Sequence, residues 1–173
     1  MLPTGSFVLG GAASGKSQWA ENYILSSGLS CIYLATGRVE DDEIISRVKV
    51  HKARRDSRWH TIEEPMDLSR PLSTLAADTP VLIDCATMWL SNQMMAQTDL
   101  DKATAALLEA LADCPAPWVI VSNEVGHGIV PDNKLARQFR EAQGRLNIAL
   151  AAQADLAVMV VAGLPQLLKG ELR

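Results

Sequence analysis

Eight consecutive residues, Gly10-Gly11-Ala12-Ala13-Ser14-Gly15-Lys16-Ser17, satisfy G-x-x-x-x-G-K-[ST] at every fixed position. The chemistry of that spacing is phosphate binding. Glycines and small residues let the backbone turn tightly, so that its N–H groups point inward at phosphate oxygens. A helix starting at the end of the loop adds partial positive charge. Lys16 then reaches the β- and γ-phosphates of a nucleoside triphosphate, and Ser17 is placed to hold Mg²⁺. The flanks agree: Phe7-Val8-Leu9 enters as a strand and Gln18-Trp19-Ala20-Glu21 leaves as a helix. Such a loop needs an acidic partner for the ion at the end of an apolar strand, and Val81-Leu82-Ile83-Asp84 supplies one. Asp84 binds the ion directly or through water, or else only caps the helix that follows.

A second group with chemical potential is the basic stretch Arg47–Arg58, which carries six of the sixteen Lys and Arg side chains of an otherwise acidic chain. Ile44, Val48 and His51 fall at i, i+4 and i+7, on one face of a helix. His51 thereby continues an inward stripe while cations flank it. Neighbouring positive charge disfavours imidazolium and keeps the ring neutral, as a nucleophile must be. The same cations can stabilise charge on a phosphorus centre and on departing pyrophosphate. The other reading, a core histidine on a helix whose charges are simply solvated, stays open from this segment alone. His60 falls in a strand pattern and His127 in a glycine-flanked loop, neither with so basic a setting. A guanine-specific switch is disfavoured, because Asn133-Lys134-Leu135 is followed by Ala136 and Asp84-Cys85-Ala86-Thr87 lacks the glycine of D-x-x-G.

Positioning these groups calls for an α/β domain. Strands are predicted at Ser6–Leu9, Cys31–Ala35, Trp59–Ile62, Val81–Asp84, Trp118–Ser122 and Leu156–Val161, with a short last one in Leu164–Leu168. Runs such as Val119-Ile120-Val121 are unbroken rather than alternating, which implies a mostly parallel sheet with helices on both faces. Helices are predicted at Lys16–Leu25, Asp42–Arg54, Asp67–Ala76 with Pro71 interrupting it, Asp101–Leu111 capped by Asp101, and Asp132–Ala154 with Gly144 inside.

With 173 residues, the chain suits a single P-loop NTPase-type domain spanning 1–173. A formal charge of −4 argues against a general nucleic-acid binder. No apolar run approaches a membrane span, which takes about 20 residues. No signal peptide is evident at the N-terminus. Three cysteines, Cys31, Cys85 and Cys114, argue against a disulfide framework and fit small buried hydrophobes in a reducing compartment. The expectation is a cytoplasmic protein.

Beyond these readings, the whole pattern resembles a known family, the bifunctional adenosylcobinamide kinases/adenosylcobinamide-phosphate guanylyltransferases of cobalamin synthesis. The likeness runs from the phosphate loop through Tyr33-Leu34-Ala35-Thr36, Asp41-Asp42-Glu43, Arg47, His51-Lys52, Trp59-His60-Thr61-Ile62-Glu63 and Leu82-Ile83-Asp84-Cys85. It continues in Val121-Ser122-Asn123-Glu124-Val125-Gly126, Gly128-Ile129-Val130-Pro131, Ala136-Arg137, Gly144-Arg145-Leu146-Asn147, Gly163-Leu164-Pro165 and Lys169-Gly170. The Asn-Glu-Val-Gly…Gly-Ile-Val-Pro block is far more specific than the loop.

The resemblance implies two reactions. A nucleoside triphosphate, ATP or GTP, phosphorylates the aminopropanol hydroxyl of adenosylcobinamide. GTP then gives GMP to adenosylcobinamide phosphate through a GMP–histidine intermediate, for which His51 holds the matching position. It also implies nucleotide contacts from Ala35, Thr36, Gly37, Lys52, Ala53, Arg54, Arg55, Glu63 and Asp84, and a homo-oligomer, often a trimer. Ala13 stands where the family often has Arg, and Asp84 where relatives can have Glu. A plain small-molecule kinase with a structural His51, or a nucleotide-gated binding module, are the alternatives that the residues leave.

Overall fold

In the computed structural model, residues 2–37 and 56–172 are described. The expected helix Asp42–Arg54, with His51, Lys52, Ala53, Arg54 and Arg55, lies outside the described residues. The elements are β1 (Gly5–Gly10), α1 (Lys16–Leu25), β2 (Cys31–Ala35), β3 (Trp59–Glu63), α2 (Ser69–Ser73), β4 (Val81–Asp84), α3 (Ala86–Met95), α4 (Leu100–Ala112), β5 (Trp118–Asn123), α5 (Lys134–Gln153), β6 (Leu156–Val161) and β7 (Leu164–Lys169). The strands form one sheet in the order β3-β2-β4-β5-β1-β6-β7. Every pairing is parallel except the antiparallel β6–β7 hairpin at one edge.

Strand side chains alternate between faces, and the sheet is covered on both. Phe7, Ile83, Ile120 and Ala157 pack with Trp89 and Leu90 of α3, Leu107 and Leu111 of α4, and Leu146 and Leu150 of α5. Their strand neighbours Val8, Leu82, Val119, Val121 and Val158 pack with Ala20 and Ile24 of α1. This two-sided burial is what the continuous apolar runs required. The domain is α/β, and among the described residues no helix is long and apolar enough to cross a membrane. All three cysteines are free and buried.

The structure departs from expectation in three places. α3 has no counterpart among the predicted helices, although Ala86, Trp89, Leu90 and Gln93 are buried at i, i+3, i+4 and i+7. Its polar Thr87, Asn92 and Gln93 hid that period. Its N-cap is Cys85, whose sulfur accepts from the Met88 N–H, so Asp84 is released from capping. α4 is capped by Asp99 rather than Asp101. α2 is shorter than predicted but runs through Pro71, its third residue. There the missing N–H is one that the first helical turn leaves unused in any case.

Near the start of β1, packing leaves no room for a side chain. A Cβ on Gly5 would stand 2.2 Å from Trp118 Cζ2. The indole cannot step aside, because its Nε1–H donates to the Leu111 carbonyl at 3.0 Å and the ring is buried. Gly5→Ala gains about 0.4–1 kcal/mol from a stiffer unfolded chain, but overpacking costs about 1–3 kcal/mol. The expected net result is destabilisation, read as a lower urea midpoint; an unchanged or raised midpoint contradicts this packing.

Candidate active site

Parallel strands bring their carboxyl ends to one edge, and ligand crevices in such sheets lie just beyond it. The loop predicted to hold phosphate leaves β1 at that edge. Its turn depends on left-handed backbone at Ala13 (φ 54) and Gly15 (φ 91). Gly10 has no space for a Cβ, which would lie 2.4 Å from Ser14 Oγ and 2.8 Å from the Val160 carbonyl oxygen. α1 begins directly after the loop with no side-chain cap, so its first N–H groups are left to whatever the loop encloses. From the far side, the Gly163 N–H in the β6–β7 turn donates to the Ser14 carbonyl at 2.8 Å.

Lys16 Nζ donates to the Gly11 carbonyl at 3.0 Å, which lays the ammonium across the loop. Burial pushes its pKa below the ordinary lysine value, and the neighbouring Cys85 and Asp84 oppose that shift. Burial raises the Cys85 thiol to about 11, so at neutral pH it is uncharged. Lys16 and Asp84 therefore share one electrostatic environment, as a phosphate loop and its acidic strand end should.

Asp84 is held by two devices. The Tyr33 hydroxyl donates to Asp84 Oδ2 at 2.9 Å, and the Tyr33 ring meets Trp59 edge-on. Thr36, fully buried, clasps the chain just after it. Its hydroxyl donates to the Cys85 carbonyl at 2.7 Å and accepts the Cys85 N–H at 2.8 Å. The Thr36 N–H donates to the Asp84 carbonyl. Asn92 of α3 completes the clasp, donating to the Thr36 carbonyl at 2.8 Å and to the Pro65 carbonyl at 3.0 Å.

The remaining expected residues fall along the same edge. Glu63, Ala35 and Asp84 sit in one row across β3, β2 and β4. Gly37 follows Thr36 directly. Gly10–Ser17, Ala35–Gly37, Glu63 and Asp84 are thus brought to one side of the sheet. His51 and Lys52–Arg55 belong to the segment outside the described residues. The hydroxyl, N–H and carbonyl of Thr36 are all bonded within the protein, so this residue orders the site from beneath.

The Asn-Glu-Val-Gly…Gly-Ile-Val-Pro block proves to be the end of β5 and its connection to α5. The Glu124 N–H donates to the Gly10 carbonyl, tying this connection to the loop. The Glu124 carboxylate accepts the Gly126 N–H. Arg140 donates to the Gly126 and Ile129 carbonyls, and Arg137 to those of Pro131 and Asp132. Sequence reasoning assigned no role to Tyr33, Asn92, Asn123 or Gly163. Tyr33, Asn123 and Gly163 lay inside quoted motifs; Asn92 lay in the unrecognised helix.

The clasp makes a direct test. Thr36→Val keeps the volume but strips the partner from a buried N–H and a buried C=O, at a cost of about 2–4 kcal/mol. Unfolding by urea is expected to show that loss, with weaker nucleotide binding in the folded variant, while Thr36→Ser keeps most of both. A Val variant as stable as the parent refutes the clasp.

Comparison with known proteins shows the family. The family described as "Cobinamide kinase / cobinamide phosphate guanyltransferase" (CobU) matches residues 6–168. The bifunctional adenosylcobalamin biosynthesis protein CobP of Pseudomonas aeruginosa is 42% identical over 167 residues, covering 95% of this chain and 96% of that protein. The bifunctional adenosylcobalamin biosynthesis proteins CobU of Salmonella typhimurium and Escherichia coli are 38% and 36% identical, each over 91% of this chain and 95% of the relative. With a family match over nearly its whole length and relatives of like size, this chain belongs to the cobinamide kinase/cobinamide phosphate guanyltransferase family.

Proposed function

We propose that this chain performs two consecutive reactions on one corrinoid in cobalamin synthesis. It phosphorylates adenosylcobinamide with a nucleoside triphosphate, then transfers GMP from GTP to adenosylcobinamide phosphate. The observation that carries this reading is the family match from residue 6 to residue 168, coincident with a loop whose lysine and acidic partner share one sheet edge. The domain is read as a P-loop NTPase-type fold spanning 1–173. The left-handed turn at Gly15, the uncapped start of α1 and the central position of β1 support that.

In the first reaction the protein's task is positioning and charge neutralisation. The loop N–H groups and Lys16 draw charge from the transferring phosphoryl group. Ser17 and Asp84 offer hard oxygen donors of the kind Mg²⁺ takes, with most of its ligands left to phosphate and water. Bound Mg²⁺ would neutralise charge on the terminal phosphates.

In the second reaction a neutral His51 nitrogen attacks the α-phosphorus of GTP, and pyrophosphate leaves with the electron pair of the broken bond. A phosphate oxygen of adenosylcobinamide phosphate then attacks the same phosphorus and His51 departs. Support for His51 is its place in the family motif and its basic surroundings in the sequence. Lys52, Ala53, Arg54, Arg55, Glu63, Ala35 and Gly37 complete the nucleotide contacts in this reading, with Thr36 supporting them from beneath. Homo-oligomer formation is supported by the edge strand β7, all of which is exposed, with Leu164, Leu167 and Leu168 in open view; a trimer is what the family resemblance implies.

Lys16→Ala is expected to lower both activities by about a hundredfold or more, since both use the loop. His51→Asn is expected to abolish guanylylation and the acid-labile protein label from GTP carrying isotope at its α-phosphate, while phosphorylation largely persists. Equal loss of the two activities in a folded His51→Asn protein contradicts this division of labour.

A further inference from the structure

Asn123 heads the most specific sequence block and has no role in the reactions as written above. It closes β5 directly opposite Gly10, where the phosphate loop begins, about 4.8 Å away across the ladder. β5 runs between β1, which carries the loop, and β4, which carries Asp84. Along β5, Val121 packs in the cluster on the α1 side, and Ser122 turns the other way to bond Asn147 and Gln143 of α5. Alternation therefore returns Asn123 to the α1 side. Lys16 lies on that side too, since a Cβ on Gly10, placed there by the same alternation from Val8, would meet Lys16 Cβ at 3.3 Å.

The main chain of Asn123 is fixed at both ends. Its N–H donates to Thr87 Oγ1 at 2.8 Å, and its carbonyl accepts from Asn147 Nδ2 at 3.2 Å. The side-chain oxygen is not fixed. This Oδ1 is shut off from solvent yet accepts no hydrogen bond. Ser14 Oγ, beside Gly10 within the loop, is in the same condition. Two orphaned polar atoms thus flank the root of the phosphate loop, where buried polar groups are normally satisfied. Asn92, Asn133 and Asn147, by contrast, all bond through their amides inside the protein. With no bond holding Oδ1, rotating the Asn123 amide about its broad terminal torsion breaks nothing there.

We propose that Asn123 is a catalytic residue of the phosphoryl-transfer step. Its amide N–H donates to an oxygen of the terminal phosphoryl group, and its carbonyl accepts the hydrogen bond of the attacking hydroxyl. The inference rests on the kinase reading given above. The hydroxyl oxygen bonds to the γ-phosphorus as the bond to the β,γ-bridging oxygen breaks. The electron pair leaves on the nucleoside diphosphate, and the hydroxyl proton passes to the transferred phosphoryl group or to water. The amide is unchanged. A neutral side chain with both a donor and an acceptor suits this post; a carboxylate would set negative charge against phosphate. Guanylylation reacts at the α-phosphorus, away from Asn123.

The test compares the two turnover numbers in Asn123→Ala and Asn123→Asp, using adenosylcobinamide for one reaction and adenosylcobinamide phosphate with GTP for the other. The ratio of kinase to guanylyl kcat is expected to fall about a hundredfold in both variants, with the nucleotide KM of the kinase step shifted by less than about threefold. A general structural defect lowers both rates together and leaves the ratio within about threefold, which overturns the proposal, as does an unaltered kinase. Should the Ala variant not fold, the near-isosteric Asp variant is read by the same ratio. Absence of phosphorylation by the unsubstituted enzyme instead refutes the kinase reading itself, before any variant is made.

Discussion

The parallel pairing of β1 with β5 on one side and β6 on the other is the constraint on which the site depends. A central strand has no free edge, so β1 is fixed along its whole length and ends at one place. The loop that follows must turn within the space its neighbours leave. Gly10 is confined by Ser14 and Val160, and Gly15 takes a backbone angle that suits glycine. Pairing also fixes the neighbours of the loop, since β5 sets Gly10 opposite Asn123 on one side and Asp84 opposite Val121 on the other. The acid and the amide are therefore positioned by ladder hydrogen bonds at the strand ends, and the lysine by the loop that leaves β1.

A second layer of polar contacts refines that geometry from below. Thr36 and Asn92 join the ends of β2 and β4 to α3. Thr87, Gln143 and Asn147 join the end of β5 to α3 and α5. These side chains are buried or nearly so and bond mostly to main chain. In such an environment these bonds hold one arrangement against its alternatives, because breaking any of them strands a buried partner. The helices thus cover the core and also keep the strand ends in register at the edge where chemistry is expected.

Much of this was legible in the residues. Unbroken runs such as Val81-Leu82-Ile83 announced a two-sided parallel sheet, because apolar residues on both faces leave no other economical burial. The phosphate loop was legible because its glycines answer a backbone requirement that few other residues meet. What escaped was polar. α3 was hidden because its inward face includes Asn92 and Gln93, whose amides serve carbonyls distant in sequence. Cys85 as a helix cap, in place of Asp84, could not be read from residue preference, since sulfur seldom takes that part. The clasp at Thr36 needed the juxtaposition of β2 and β4, which lie 49 residues apart at Thr36 and Cys85.

The bond from the Gly163 amide to the Ser14 carbonyl splints the phosphate loop to the hairpin at the sheet edge. Opening of that turn and distortion of the loop are one event as far as this amide is concerned. Its exchange with deuterated solvent is therefore an internal gauge of loop fluctuation, readable without any ligand or added probe.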